Sequence, residues 1–114
     1  MSGYLSDSQW NIVEFWRGNC PACTKVYSEV ADFVEENQTE VNMVSVAVSD
    51  WNESLSFIQA SEPSWTQLLD RSFRAQETYQ LKYVPTFLLI DSKGYIVLQT
   101  YDFSLIKKMA LADK

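Results

Sequence analysis

The sequence has no histidine, only two cysteines, and three each of glycine and proline among its 114 residues. Without histidine the chain cannot form a Ser-His-Asp or Cys-His catalytic group, or a metal site that uses histidine ligands. The scarcity of glycine and proline, together with 46% hydrophobic residues, excludes disordered and collagen-like chains. These absences leave a folded chain with a small chemical inventory.

The sequence also lacks long apolar runs and an excess of positive charge. No run approaches the roughly 18 apolar residues of a membrane span, and Met1 to Ser8 have neither the basic start nor the apolar stretch of a signal peptide. Fifteen acidic residues against nine basic ones give a net charge of −6, which disfavours nucleic acid and anionic lipid. We therefore expect a single domain over residues 1–114, with no nucleic-acid partner and no membrane segment.

Apolar runs and helical spacings alternate along the chain and predict an α/β fold. The predicted order is strand, helix, strand, helix, a short extended piece, a helical turn, two strands joined as a hairpin, and a closing helix. The bounds are 11–16, 21–37, 41–48, 50–60, 65–69, 73–81, 86–90, 95–100 and from 104 onward. A β-α-β unit followed by a hairpin and a helix gives a mixed sheet with helices on both faces.

Two helix starts are assigned from capping residues. Asp50 or Asn52 is expected to cap the second helix, and Ser104 the last one. The inner positions expected from spacing are Leu55 and Ile58 in the second helix, and Leu105, Ile106, Met109 and Ala110 in the last.

The two cysteines, Cys20 and Cys23, form a C-x-x-C pair just past the first strand, at the start of its helix. Open α/β sheets place functional groups at this edge, and a bridge over so short a loop stabilises little. The helix N-terminus lowers a cysteine pKa from about 8.5, so Cys20 is expected to be the nucleophile. Cys23, one turn further and set deeper, is expected to resolve the mixed disulfide. Pro21 fits the first helical position and stiffens this turn.

Four segments carry a resemblance to a known family. VEFWRGNCPAC at 13–23 is similar to the thioredoxin active-site segment, VPT at 84–86 looks like the cis-proline loop of that family, and the residues after it resemble its strand, turn and strand. PSW at 63–65 looks more like the TlpA-like and tryparedoxin-like branches. Over residues 12–100 the chain thus resembles the thioredoxin-like superfamily, closest in style to TlpA-like and tryparedoxin-like thiol-disulfide oxidoreductases.

The resemblance implies a thioredoxin-like fold with a mixed four-stranded sheet in the order 2-1-3-4, without the family's usual leading strand and helix. It implies a monomeric oxidoreductase of the protein-disulfide reductase type that needs no bound cofactor. Its partners would be protein disulfides or dithiols and an unidentified redox-recycling protein. The compartment is cytoplasmic if the chain is complete, and extracytoplasmic, as in TlpA-like proteins, if a signal or anchor has been removed.

The resemblance also assigns roles to individual residues. Glu14 would be a buried acid beneath Cys23, with a pKa raised by desolvation, that shuttles the proton of that thiol. Pro85 in cis would bring the Val84 backbone beside Cys20, where an extended partner chain can pair with it. The same surface would include Trp16, Pro21 and Ala22. Asn19 departs from the family, because thioredoxins carry tryptophan before the first cysteine.

The residues themselves leave alternatives open. Glu14 can instead point to water on an edge strand, and Pro85 can simply begin a strand. Cys20 and Cys23 can form an inert bridge in a non-enzymatic protein-binding module, or hold a metal or cluster between two subunits. Whether the pair reduces, oxidises or isomerises disulfides depends on its reduction potential.

Overall fold

The computed structural model describes residues 2–112 of the chain. It contains a short 3-10 turn at Ser2–Tyr4, followed by five strands and four helices. The strands are β1 Trp10–Arg17, β2 Val41–Ser49, β3 Thr66–Leu69, β4 Thr86–Ile90 and β5 Ile96–Thr100, and the helices are α1 Pro21–Glu36, α2 Trp51–Ser61, α3 Arg74–Thr78 and α4 Phe103–Ala110. The predicted α/β order is confirmed.

The strands form one mixed sheet in the order β3-β2-β1-β4-β5. The central strand β1 pairs in parallel with β2 and antiparallel with β4, while β5 continues the sheet antiparallel to β4. The predicted order 2-1-3-4 is correct for these four strands, but the predicted count of four is wrong. Residues 66–69 add a fifth strand, parallel to β2, at the edge of the sheet.

Alternation along β1 divides the interior between the two faces of the sheet. Ile12 packs with α1 and α4 residues such as Phe33 and Ile106, whereas Val13 packs on the opposite face with Val44. Successive side chains of a strand point to opposite faces, so Glu14 shares the α1 face with Ile12. All five residues of β4 are buried, as in a strand covered on both sides.

The hairpin between β4 and β5 forms where the sequence predicts it. Gly94 has φ 94°, a backbone conformation that glycine adopts without steric cost. The Asp91 carboxylate accepts hydrogen bonds from the backbone N–H groups of Lys93 (3.0 Å) and Tyr95 (2.9 Å) and closes the turn.

The structure corrects the capping of α2 and the start of α4. Asp50 precedes α2, but its side chain makes no capping hydrogen bond and its carboxylate lies 3.7 Å from the Arg17 guanidinium. Leu55, expected inside, is 38% exposed, because α2 turns Ser54 toward the sheet.

Asp102, not Ser104, caps α4, by accepting the Ser104 backbone N–H at 2.9 Å. The cap therefore lies two residues earlier than predicted, and the helix begins at Phe103. Its buried face is Phe103, Ile106 and Ala110, and the expected inner residues Leu105 and Met109 are exposed. The hydrogen bonds from the Ser104 side chain and backbone lower the pKa of Asp102.

Candidate active site

The cysteine pair lies where β1 passes into α1. Cys20 is the N-cap residue of α1, Cys23 lies in its first turn, and the two form a disulfide with Cα atoms 5.2 Å apart. The Sγ atom of Cys20 accepts a hydrogen bond from the Cys23 backbone N–H at 3.1 Å. The first backbone N–H groups of a helix have no carbonyl partner within the helix. Together with the helix dipole, they favour negative charge at the helix start. A Cys20 thiolate in the reduced form would therefore meet a favourable electrostatic environment.

Both cysteines are covered by neighbouring side chains. Cys20 is 5% exposed and Cys23 is 4% exposed, so this oxidised form does not show the expected difference in depth. The cover comes from aromatic and aliphatic side chains of several elements, including Trp16, Trp51 and Val84. Between the two cysteines, Pro21 and Ala22 are exposed and form the accessible surface of the pair.

The loop before β4 lies against Cys20. The Val84–Pro85 peptide bond is cis, as the resemblance implies. The Val84 carbonyl oxygen lies 3.7 Å from Cys20 Sγ. Next to it, Tyr83 is 68% exposed, and its ring packs edge-on against Tyr101 with centroids 5.6 Å apart. The predicted neighbours Cys20, Val84 and Pro85 are thus brought together.

The loop before Cys20 is fastened to α2. The Gly18 backbone N–H donates to the Ser54 hydroxyl at 2.8 Å, and Ser54 in turn donates to the Asp50 carbonyl at 2.9 Å. A Cβ atom at Gly18 would overlap the backbone of Glu53 and Ser54. This contact fixes the path of the chain from β1 into the cysteine turn.

Glu14 is buried on the α1 side of the sheet, so the alternative in which it points to water is wrong. It is 6% exposed and lies opposite Ser45 in the β1–β2 pairing. The Ser45 hydroxyl donates to Glu14 Oε1 at 2.8 Å. Burial raises the pKa of Glu14 to about 7, and the Ser45 hydrogen bond opposes part of that increase. A carboxyl group with this pKa takes up and releases protons near neutral pH.

Glu14 and Cys23 line the same small cavity beneath the disulfide. The centre of a water molecule can occupy about 10 Å³ of this cavity, which is enough space for one water. Two polar atoms of the lining residues, Trp16 Nε1 and Gln67 Oε1, are buried and make no hydrogen bond to a described protein atom. The cavity thus adjoins Cys23 and is lined by the two residues that carry these unpaired polar atoms.

Trp16 packs in the same cluster as the two cysteines. It is only 6% exposed and its ring packs against Phe57 at a centroid distance of 5.6 Å. The prediction that Trp16 belongs to the substrate-facing surface therefore does not fit its burial. Its position on β1 and its contact with Phe57 of α2 make it part of the packing around the cysteine pair.

Two residues near Glu14 were missed by the sequence analysis. Ser45 is the one fully buried serine in the apolar run of β2, and that isolated polar residue was the available signal. Trp65 donates from Nε1 to Ser45 Oγ at 2.8 Å. It reaches the site from the segment before β3, and no local pattern indicates that contact.

Within residues 2–112, no cluster of three or more histidine, cysteine or acidic side chains is arranged to hold a metal ion. In the same part of the chain, no helix combines the length and apolar character needed to cross a bilayer.

The fold and the disulfide at the start of α1 define a thioredoxin-like protein. The AhpC/TSA family matches residues 1–99, and the chain belongs to that family.

A curated relative is the sporulation thiol-disulfide oxidoreductase A of Bacillus subtilis, 28% identical over 93 residues. The match covers 77% of this chain and 56% of the relative, so the chain spans little more than half of that protein. The cysteine pair at disulfide distance is thus found in a chain whose relative is a thiol-disulfide oxidoreductase.

Solved structures show the same fold. A secreted Mycobacterium tuberculosis disulfide oxidoreductase homologous to E. coli DsbE has a TM-score of 0.80 at 18% identity, covering 96% of this chain and 85% of that one. StoA from Bacillus subtilis has a TM-score of 0.75 at 23% identity, covering 89% and 81%. A thioredoxin-like protein in its oxidised form has a TM-score of 0.85 at 16% identity, covering 100% and 85%.

Proposed function

We propose that the protein is a thiol-disulfide oxidoreductase that reduces protein disulfides through a mixed disulfide at Cys20. The observation that carries the proposal is the position of the Cys20–Cys23 disulfide at the start of α1, with the Cys23 N–H directed at Cys20 Sγ over 3.1 Å. This arrangement stabilises a Cys20 thiolate, which is the species that attacks disulfides.

The reaction begins from the dithiol form. The Cys20 thiolate attacks one sulfur of the substrate disulfide, forms the mixed disulfide and releases the other substrate sulfur as a thiolate. Glu14 then takes the proton of the Cys23 thiol, and the Cys23 thiolate attacks Cys20 Sγ. The second substrate thiolate leaves and the Cys20–Cys23 disulfide forms, so two electrons pass from the protein to the substrate. A separate dithiol partner restores the reduced form.

Substrate docking is assigned to the surface around Val84. Its carbonyl beside Cys20 can pair with the backbone of an extended partner chain, as an added strand does. The exposed residues Pro21 and Ala22 contact the partner on the other side of the disulfide.

The decisive experiment is reduction of insulin followed in single-cysteine variants. Cys20→Ser abolishes reduction, whereas Cys23→Ser accumulates mixed disulfides that mass spectrometry detects. Glu14→Ala slows resolution and leaves the first attack unchanged, while Glu36→Ala, an exposed acid at the far end of α1, changes neither step. Equal pH profiles of alkylation at both thiols, matching free cysteine, would contradict the assignment of Cys20 as nucleophile.

A second candidate is a binding module with an inert bridge, and the low exposure of both cysteines favours it. The reduction potential of the pair separates the two functions. A potential well below that of the cellular thiol pool keeps the bridge closed and supports the binding module. A potential near that pool supports the oxidoreductase.

We further propose an extracytoplasmic location, because one protein of the same fold is secreted. Fractionation of source cells producing a C-terminally tagged protein tests this location, and recovery in the cytoplasmic fraction would contradict it.

A further inference from the structure

We propose that Trp65 and Ser45 are positioning residues that form a one-way chain of hydrogen-bond donors ending on Glu14 Oε1. The chain directs the acid's proton to the other oxygen, Oε2. The catalytic use of that proton rests on the proposed function, whereas the chain itself does not.

The geometry gives the chain its direction. Trp65 Nε1 donates to Ser45 Oγ at 2.8 Å, and Ser45 Oγ lies 2.8 Å from Glu14 Oε1. An indole N–H donates and never accepts, whereas a hydroxyl does both. Trp65 therefore uses a lone pair of Ser45 Oγ and leaves the hydroxyl hydrogen for Glu14 Oε1.

The direction decides which oxygen of Glu14 is protonated. The Ser45 hydroxyl hydrogen is directed at Oε1 of Glu14. Oε1 therefore accepts this hydrogen bond both in the carboxylate and in the neutral carboxylic acid. The proton of the neutral acid therefore occupies Oε2. Glu14 and Cys23 line a common cavity, so the Cys23 thiol is the neighbouring group with which Glu14 exchanges a proton. When the Cys23 thiol ionises, its proton passes to Glu14 Oε2 and the carboxylate becomes a carboxylic acid.

The charge on Glu14 is stabilised by this chain rather than by a cation. The titratable side chains that line the cavity with Glu14 are Cys23 and Tyr27 of α1. The other elements around it contribute uncharged side chains, namely Ser45 of β2, Phe57 of α2, and Trp65 and Gln67 before and within β3. Donation from Trp65 polarises the Ser45 hydroxyl and strengthens its bond to the carboxylate. The chain thus limits the increase in pKa that burial causes.

The test is a titration of Glu14 in the oxidised protein, read from the side-chain carboxyl carbon by NMR. Trp65→Phe is expected to raise the midpoint by about half a pH unit, and Ser45→Ala by about one, because each weakens donation to the charged form. Replacing Trp65 with β-(3-benzothienyl)alanine keeps the ring size and removes only the N–H, and it gives the same shift. The matched control is Trp51→Phe, whose Nε1 donates to the Ala47 carbonyl.

A double variant separates the chain from general packing. If Trp65 acts through Ser45, the Trp65→Phe change adds no further shift in a Ser45→Ala background. An additive shift, or an unchanged midpoint with the benzothienyl residue, would overturn the proposal. The oxidised protein needs no turnover for this measurement, so an inactive enzyme would reject the proposed function and leave the chain standing. In an active enzyme, the pH profile of Cys23 attack moves with the midpoint.

Discussion

The backbone N–H of Gly18 donates a 2.8 Å hydrogen bond to the hydroxyl of Ser54, which joins the loop before Cys20 to the first turn of α2. Gly18 also lies so close to this turn that a side chain has no room. The position of Cys20 therefore depends on a contact with an element that follows it by more than 30 residues along the chain.

Gly18→Ala is expected to destabilise the oxidised protein by about 1–3 kcal/mol, because the added methyl forces the loop and α2 apart. Urea unfolding measures the change. Gly3→Ala is the matched control, since nothing lies within 4 Å of a Cβ atom there. Equal losses in the two variants would show that the close approach of Gly18 is not what matters.

Ser54→Ala removes the acceptor of the Gly18 N–H. Ser54 is fully buried, so the unpaired N–H is expected to cost about 1–3 kcal/mol of unfolding free energy. Ser56→Ala, on the exposed side of the same helix, should change stability little. A similar stability for both variants in urea unfolding would contradict the anchoring role of Ser54.

The raised pKa of Glu14 makes stability depend on pH. Below the usual pKa of 4.5 the folded and unfolded states both hold the proton. Between 4.5 and about 7 only the folded state holds it, so the unfolding free energy falls as pH rises, and above 7 it is level again. The total loss is about 3 kcal/mol.

Glu14→Gln removes this dependence and keeps an acceptor for Ser45. Unfolding free energies of the oxidised protein between pH 4 and 8 should therefore diverge, with the variant gaining on the native protein as pH rises. Glu36→Gln, an exposed acid, serves as control. Parallel curves for Glu14→Gln and the native protein would refute a buried acid with a raised pKa.

The two thiols should differ in reactivity. Since Cys20 Sγ accepts the Cys23 N–H at the helix start, the Cys23→Ser variant is expected to be alkylated roughly tenfold faster at pH 6 than the Cys20→Ser variant. Iodoacetamide labelling followed by mass spectrometry measures both rates. Faster labelling of Cys23 would reverse the roles of nucleophile and resolving cysteine.

The elements around the site could be predicted because their signals are local. β1 and β2 are apolar at most of their positions, and Pro21 marks the start of α1 next to Cys20. β3 could not be recognised as a strand of the sheet, because Thr66 and Gln67 break any apolar alternation. It forms a strand because it pairs with the edge of β2, which its own sequence does not indicate. The start of α4 was misplaced because Asp102 and Ser104 are both good caps, and packing of Phe103 decides between them.

The candidate site was predictable only as far as motifs reach. Cys20, Cys23 and the cis peptide before Pro85 follow from short segments that resemble a family. The partners of Glu14 do not, since Ser45 meets it through the pairing of β1 with β2, and Trp65 lies in the segment between α2 and β3. The prediction for Trp16 relies on its nearness to Cys20 in the sequence. That nearness does not indicate whether a side chain is buried or exposed, and Trp16 is buried.

The low exposure of Cys20 has a steric consequence for any attacking group. Only 5% of the residue is exposed, and the Val84 carbonyl oxygen lies 3.7 Å from its Sγ atom. If the pair exchanges disulfides as proposed, a partner sulfur on a protruding loop or an unfolded segment is expected to react faster than one set in a flat protein surface.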